Sequence, residues 1–176
     1  TDDLNIILKK LYDTDFFETI ELSINNEILK IIVVENSIVQ NLLITGIENK
    51  TLKKKIFETI TLKEKNPYVD DKIKTDLMNV KNFLQEVGYY FSTVEILKKD
   101  NTNNTIDLIY EIDLGNKAFI NEIVFLGDKK FKKRKLLNII TSEENKFWKF
   151  ISNKRLLNKQ RIELDKRLLT NFYQNQ

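Results

Sequence analysis

The sequence predicts an α+β protein assembled from small units in tandem, and three observations support this. Short phrases recur along the chain. Stretches whose apolar residues follow a helical period alternate with stretches of apolar–polar alternation. A strand ended by glycine and followed by a lysine-rich helix occurs twice. Ile44-Thr45-Gly46 leads into Leu52-Lys53-Lys54-Lys55-Ile56, and Phe125-Leu126-Gly127 leads into Phe131-Lys132-Lys133-Arg134-Lys135-Leu136. Gly46 and Gly127 are 81 residues apart. A period of roughly 80 is too long for most solenoids and fits a string of small domains.

A second phrase recurs in fragments. It reads Leu11-Tyr12-Asp13-Thr14-Asp15-Phe16-Phe17 near the start and Phe83-Leu84-Gln85-Glu86-Val87-Gly88-Tyr89-Tyr90-Phe91 in the middle. At the end, Leu168-Leu169-Thr170-Asn171-Phe172-Tyr173 stops short of the glycine. One whole unit, flanked by two partial ones, accounts for all three.

The elements follow in order. Leu4, Ile7, Leu8 and Leu11 form an amphipathic stripe over Asp2 to Tyr12. Ile20, Leu22 and Ile24 alternate with polar neighbours, Asn25-Asn26 signals a turn, and Ile28 to Glu35 is the return strand of a hairpin. Ile38 to Thr45 is the next strand, and Lys50 to Ile60 a short helix with Leu52, Ile56 and Ile60 on one face. Pro67, the only proline, ends a loop, and Asp70 or Asp71 is placed to cap a helix carrying Ile73, Leu77, Val80, Leu84 and Val87. Gly88 ends that helix where a left-handed residue is needed. Phe91 to Lys98 and Ile106 to Asp113 are strands around a polar turn, so the middle unit is β-α-α-β-β. After Gly115-Asn116, a strand with Phe119, Ile123 and Phe125 on one face is expected, then helices over about 131–140 and 153–173.

Composition excludes several function classes. The 176 residues contain neither Cys nor His, which removes disulfides, thiol nucleophiles, the commonest metal ligand and the commonest neutral-pH base. Neither a metal site nor a cofactor is expected, and the paired acids Asp70-Asp71 and Glu143-Glu144 suit helix caps better than catalysis. Net charge is only +3, from 29 basic and 26 acidic side chains, which is not the imbalance of a nucleic-acid binder. No stretch approaches the ~20 apolar residues of a membrane span.

Three groups invite a binding role. Lys53, Lys54 and Lys55, and Lys132, Lys133, Arg134 and Lys135, are charge runs that suit either anionic headgroups or a solvated helix face. Phe147, Trp148 and Phe150 crowd a loop, either as packing or as docking anchors. Tyr89, Tyr90 and Phe91 read as a peptide groove or, more simply, as anchors holding the helix on the sheet.

The β-α-α-β-β order, the strand–glycine phrase Ile44 to Asn49 with its second copy at Leu126-Gly127-Asp128-Lys129, and the helix ending before Gly88-Tyr89-Tyr90 resemble POTRA domains. They are most similar to the periplasmic repeats of the BamA outer-membrane assembly family. The resemblance implies tandem α+β domains, each with a three-stranded mixed sheet on two antiparallel helices. On that reading, 1–36 is the end of a first domain, 37–115 a complete second and 116–176 the start of a third. It implies a non-enzymatic arm in the periplasm, tied to the outer membrane by a C-terminal barrel absent from this chain. Its partners would be unfolded outer-membrane proteins, accessory lipoproteins and, peripherally, membrane headgroups. A POTRA arm of a related transporter, or a scaffold module of a division protein, are the alternatives.

In such domains the strand here read as Phe91, Ser92, Thr93, Val94, Glu95, Ile96, Leu97 and Lys98 lies at a sheet edge. An edge offers unpaired backbone groups to an incoming extended peptide. The partial units at the two ends are expected to expose apolar faces such as Ile20, Leu22 and Ile24, or Phe119, Ile123 and Phe125. They are so expected to be mobile or covered by another molecule, with one chain's β-α-α end complementing another's helix–hairpin start in self-association. Light scattering over a range of concentrations tests this, and a strictly monomeric chain counts against it.

Overall fold

A computed structural model of the chain describes residues 2–127, 130–149 and 152–175. The elements are α1 (Asp2–Tyr12), β1 (Phe17–Asn25), β2 (Ile28–Glu35), β3 (Ile38–Thr45), α2 (Lys50–Thr59), α3 (Asp70–Glu86), β4 (Thr93–Asp100), β5 (Thr105–Asp113), α4 (Lys133–Leu137) and α5 (Lys159–Gln174). Short 3-10 turns cover Phe147–Lys149 and Asn153–Arg155. The fold is α+β, with a two-stranded sheet β1-β2 and a three-stranded sheet in the order β3-β5-β4. Two compact units emerge, residues 1–79 with 94–112, and 80–93 with 113–176.

In the first unit, β1 and β2 form an antiparallel hairpin that pairs Ile20 with Val33, Leu22 with Ile31 and Ile24 with Leu29. These six aliphatic residues share one face, because successive side chains alternate across a strand. α1 lies against β1, and Ile20 is the buried member of the set. The link to β3 is stitched by hydrogen bonds. Asn36 donates its backbone N–H to Phe16 O (2.8 Å) and its amide to Asp15 O (2.7 Å), while Ser37 Oγ donates to Asn104 Oδ1 (2.8 Å). Lys72 forms an ion pair with Asp15. Asp15 adopts φ +62°, the left-handed conformation that Gly88 takes at φ +99° in the second copy of the phrase.

The three-stranded sheet is mixed. β3 runs parallel to β5, with Leu42 opposite Leu108 and Ile44 opposite Tyr110. β5 is joined to β4 through only four residues, a connection that permits only an antiparallel pair. β5 is the central strand and buries Ile106, Leu108, Tyr110 and Ile112. Val39, Ile56, Ile60, Leu62, Val80 and Leu84 are also buried.

Several boundaries differ from the sequence reading. The strand expected from Phe91 begins at Thr93, because Ser92 donates both N–H and Oγ–H to Tyr89 O and closes a turn behind Gly88. It then runs on through Lys99 to Asp100. Phe91 is 72% exposed and stacks edge-on against Tyr90, so it does not anchor the helix. Asp70 and Asp71 lie inside the first turn of α3 rather than capping it, since Ile73 N–H donates to Val69 O while Asp70 accepts from the Tyr68 hydroxyl (2.6 Å).

In the second unit, the strand expected around Phe119, Ile123 and Phe125 is reduced to one bridge, Phe119 to Leu156. A strand needs a ladder partner, and among the described residues none lies beside it. The helix expected over 131–140 is the single turn α4. Lys132 supplies no side-chain cap, and cations fill the end of the helix where the dipole is positive. The helix expected from 153 is delayed to Lys159, where Asn158 Oδ1 accepts from Arg161 N–H (2.8 Å). Phe150 lies outside the described residues.

Candidate functional site

The two edges of the three-stranded sheet are not equivalent. The loop following α2 covers β3's outer edge. Val39 N–H donates to Asn66 O (2.9 Å), Lys65 N–H to Val39 O (2.7 Å) and Tyr68 N–H to Ser37 O (2.8 Å). Further along, the Glu64 carboxylate accepts from Leu42 N–H (3.2 Å). A carboxylate in that position occupies a donor that an incoming strand would otherwise use.

Among the described residues, β4 has β5 as its one strand neighbour, which leaves its other side open. Among the described residues, no hydrogen bond covers that side of Thr93–Asp100. Val94 and Ile96 are half-buried, while Thr93, Glu95, Leu97, Lys98 and Lys99 are exposed. The far end is charged: Lys98 Nζ lies 3.6 Å from Asp100 Oδ1 and 4.5 Å from the centre of the Tyr68 ring. Burial first, and then the hydrogen bond to Asp70, push the Tyr68 hydroxyl pKa up to about 12, so it stays a donor. Asn103 and Asn104, at φ +61° and +53°, turn the chain from β4 into β5.

Asp76 holds the sheet together from below. This fully buried carboxylate accepts from Thr61 N–H (2.6 Å) and Thr61 Oγ1 (2.7 Å) on one oxygen. On the other it accepts from Leu62 N–H (3.0 Å) and the Tyr110 hydroxyl (3.2 Å). It ties α3, the loop after α2 and the central strand at a single point. Burial, followed by the Asp76 charge, holds the Tyr110 pKa far above its ordinary value.

The second unit repeats these devices. Leu157 N–H donates to Ala118 O (2.9 Å), Ile120 N–H to Arg155 O (2.8 Å) and Ile123 N–H to Glu144 Oε1 (3.1 Å). Each residue of residues 118–123 so used stands 81 positions after its counterpart among Ser37, Val39 and Leu42. Asp165 accepts from Thr141 N–H (2.6 Å), Thr141 Oγ1 (2.7 Å) and Ser142 N–H (3.2 Å), the pattern of Asp76 without the tyrosine. Burial opposes ionisation of Asp165, but hydrogen bonds from Ser142 and Thr141 outweigh it and hold its pKa below the usual carboxylate range. Ser142 Oγ, close enough to favour that charge, is buried and completes no hydrogen bond of good geometry. An apolar groove of about 290 Å³ opens beside it, lined by Ile123, Phe125, Ile140, Ile162 and Leu169. In the first unit, β5 stands beside the corresponding residues.

The remaining residues singled out from sequence separate. Lys53, Lys54 and Lys55 are exposed on α2, with Lys54 4.0 Å from Glu58. Lys132, Lys133, Arg134 and Lys135 are exposed at α4, and Lys135 lies 4.7 Å from the Phe131 ring centre. Phe147 and Trp148 are 86% and 60% exposed, so they are not packing residues of the unit. Among the described residues, no group of three acids, His or Cys is arranged to hold a metal, and no helix is long and apolar enough to cross a membrane.

The sequence reading missed the buried carboxylates and the edge-guarding glutamates. Both carry a faint signal. Ile60-Thr61 and Ile140-Thr141 are each followed by Glu three residues after the Thr, and Asp76 and Asp165 each open an Asp-x-x-x-(Val/Leu)-x-Asn-Phe phrase.

A mixed sheet in the order β3-β5-β4, built from a β-α-α-β-β run whose strand-edge hydrogen bonds recur 81 residues later, defines a class of domain. Residues 37–115 and 118–176 match the model of the POTRA family, described as surface antigen variable number repeat, and the chain belongs to that family. Within it, the repeats are similar to those of the outer membrane protein assembly factor BamA. The chain is 23% identical over 175 residues to BamA of Neorickettsia risticii (strain Illinois), covering 99% of this chain and 23% of that protein. It is 26% identical over 174 residues to BamA of Neisseria meningitidis serogroup B, covering 96% and 22%. The chain thus spans about a quarter of the length of the curated relatives it matches. Two solved structures share its fold. Haemophilus influenzae BamA POTRA domains 3–5 align with a TM-score of 0.54 at 15% identity, over 96% of this chain and 69% of that one. Haemophilus ducreyi BamA lacking POTRA domains 1–3 aligns with a TM-score of 0.57 at 18% identity, over 75% and 23%.

Proposed function

We propose that this chain is part of the periplasmic arm of an outer-membrane β-barrel assembly protein, divided into domains at 1–36, 37–115 and 116–176. It receives unfolded outer-membrane proteins by adding their strands to β4, docks accessory lipoproteins and performs no chemistry of its own. One observation carries the reading. Of the two edges of the complete sheet, β3 is closed by the loop after α2 and by Glu64, while β4 is open over eight residues. Backbone pairing at an open edge makes little demand on client sequence, which suits a receptor for many different strands. Lys98 and Lys99 at its end oppose pairing with a second copy of the same edge.

The test is a peptide of alternating apolar and polar residues, compared with the same peptide N-methylated at every second position. Backbone amide resonances of Thr93–Asp100 are expected to shift with the first peptide. N-methylation removes several hydrogen bonds worth about 1 kcal/mol each, so affinity falls at least about tenfold. Equal binding of both peptides, or shifts confined to other elements, would exclude strand addition at β4.

A further inference from the structure

We propose that the second unit carries a surface for anionic lipid headgroups, formed where α4 meets the aromatic turn at Phe147–Trp148. Two features far apart in sequence meet on one carboxylate. Glu144 lies 3.1 Å from Lys133 Nζ and 3.6 Å from Lys146 Nζ, so the basic helix adjoins the turn. Glu144 also accepts Ile123 N–H, and its side chain is only 16% exposed. Its charge is therefore committed inward. Lys133 also reaches Glu122 (3.7 Å), and Glu143 lies 4.0 Å from Lys154. Lys132 and Arg134 are exposed and have no ion pair among the described residues. Among the described residues, Lys132, Lys133, Arg134, Lys135 and Lys146 are thus paired with two carboxylates, Glu122 and Glu144, leaving a positive excess there.

The aromatic half is equally open. The Phe147 and Trp148 rings meet edge-to-face at 4.6 Å and cover little of each other. Lys146 Nζ stands 5.8 Å from the Trp148 ring centre. Large rings kept in water forgo the stabilisation of apolar burial. An indole at the headgroup level recovers it while its N–H stays hydrated, and neighbouring cations meet the lipid phosphates. A bilayer requires no matching pocket and no hydrogen-bonding edge. Among the described residues, no strand lies beside the rings, and cations are their charged neighbours.

Trp148 is the only tryptophan, so its fluorescence reports on this surface alone. The intact chain would be mixed with phosphatidylcholine vesicles, with and without about 30% phosphatidylglycerol, at about 50 and about 500 mM NaCl. With anionic vesicles at low salt, Trp148 emission is expected to move to shorter wavelength and the chain to co-sediment. Both effects should fade at high salt. Lys132→Gln and Arg134→Gln should each lower partitioning about fivefold. Phe147→Ser should lower it further, and Lys53→Gln on α2 should leave it unchanged. These residues are exposed, so the variants' thermal unfolding should match the parent's. The proposal is overturned by unshifted emission with anionic vesicles at low salt, by equal partitioning onto neutral vesicles, or by sensitivity to Lys53→Gln in place of Lys132→Gln. Binding to an acidic polypeptide with none to anionic vesicles would assign the surface to a protein partner and overturn it equally.

Discussion

Replacing Asp76 with alanine is expected to destabilise the first unit by about 3–5 kcal/mol, the range for removing one partner of a buried charged cluster. The substitution strips four donors of their acceptor at once: Thr61 N–H, Thr61 Oγ1, Leu62 N–H and the Tyr110 hydroxyl. Leu62 and Tyr110 are each almost fully buried, so water cannot replace the lost carboxylate without opening the core. Asp76→Asn keeps the shape but turns one oxygen into a donor facing other donors, and should cost about 2 kcal/mol. Tyr110→Phe removes a single hydroxyl and should cost about 1 kcal/mol. Urea unfolding followed by circular dichroism orders the three. A loss below about 1 kcal/mol for Asp76→Ala would show that the cluster does not hold the sheet to α3.

Asp76 also shows why part of this molecule was hidden in its sequence. It lies four residues before Val80 and eight before Leu84, on the buried side of α3. An aspartate there reads as a break in the apolar stripe, and only the folded loop brings Thr61 and Leu62 to it. By contrast, α1, β2, β3 and the hairpin turn matched their expected residues. Their patterns are local: a 3.6-residue or two-residue period bounded by a turn signal. Where an element depends on something distant, local pattern failed. Residues 119–125 alternate like a strand, yet among the described residues they have no ladder partner. The basic residues Lys132, Lys133, Arg134 and Lys135 follow an apolar start, yet their charge opposes the dipole of the helix they would begin.

The candidate edge was legible in the same uneven way. The resemblance implied that the strand after Gly88 lies at the rim of the sheet, and β4 does. That β3, the opposite rim, is closed was not legible. Closure depends on Glu64 reaching a backbone N–H 22 residues back, at Leu42. The same device recurs when Glu144 reaches Ile123. Charge runs and aromatic clusters were visible in the sequence as composition. Only the fold showed that Lys133 and Lys146 share one carboxylate beside Phe147 and Trp148.

The glycines that open the two lysine-rich phrases should respond very differently to the same substitution. Gly46 has φ +78°, and a Cβ added there would lie 1.9 Å from Ile112 O, far inside contact distance. That oxygen belongs to the backbone of the central strand, which cannot move without breaking the β3–β5 ladder. Gly46→Ala therefore combines left-handed strain with a clash against a fixed strand, and should cost about 3 kcal/mol or more. Gly127 occupies the equivalent place at φ +111°, with nothing among the described residues within 4 Å of the added carbon. Gly127→Ala should cost about 1 kcal/mol, from backbone strain alone. Thermal unfolding of the two variants, measured side by side, tests the contrast. A similar small loss at both sites would mean that β5 does not pass beneath Gly46 as described. A large loss at Gly127 would mean that the second unit holds a backbone segment against that residue in solution. The difference between the variants thus measures what a neighbouring strand contributes to one position of the repeat.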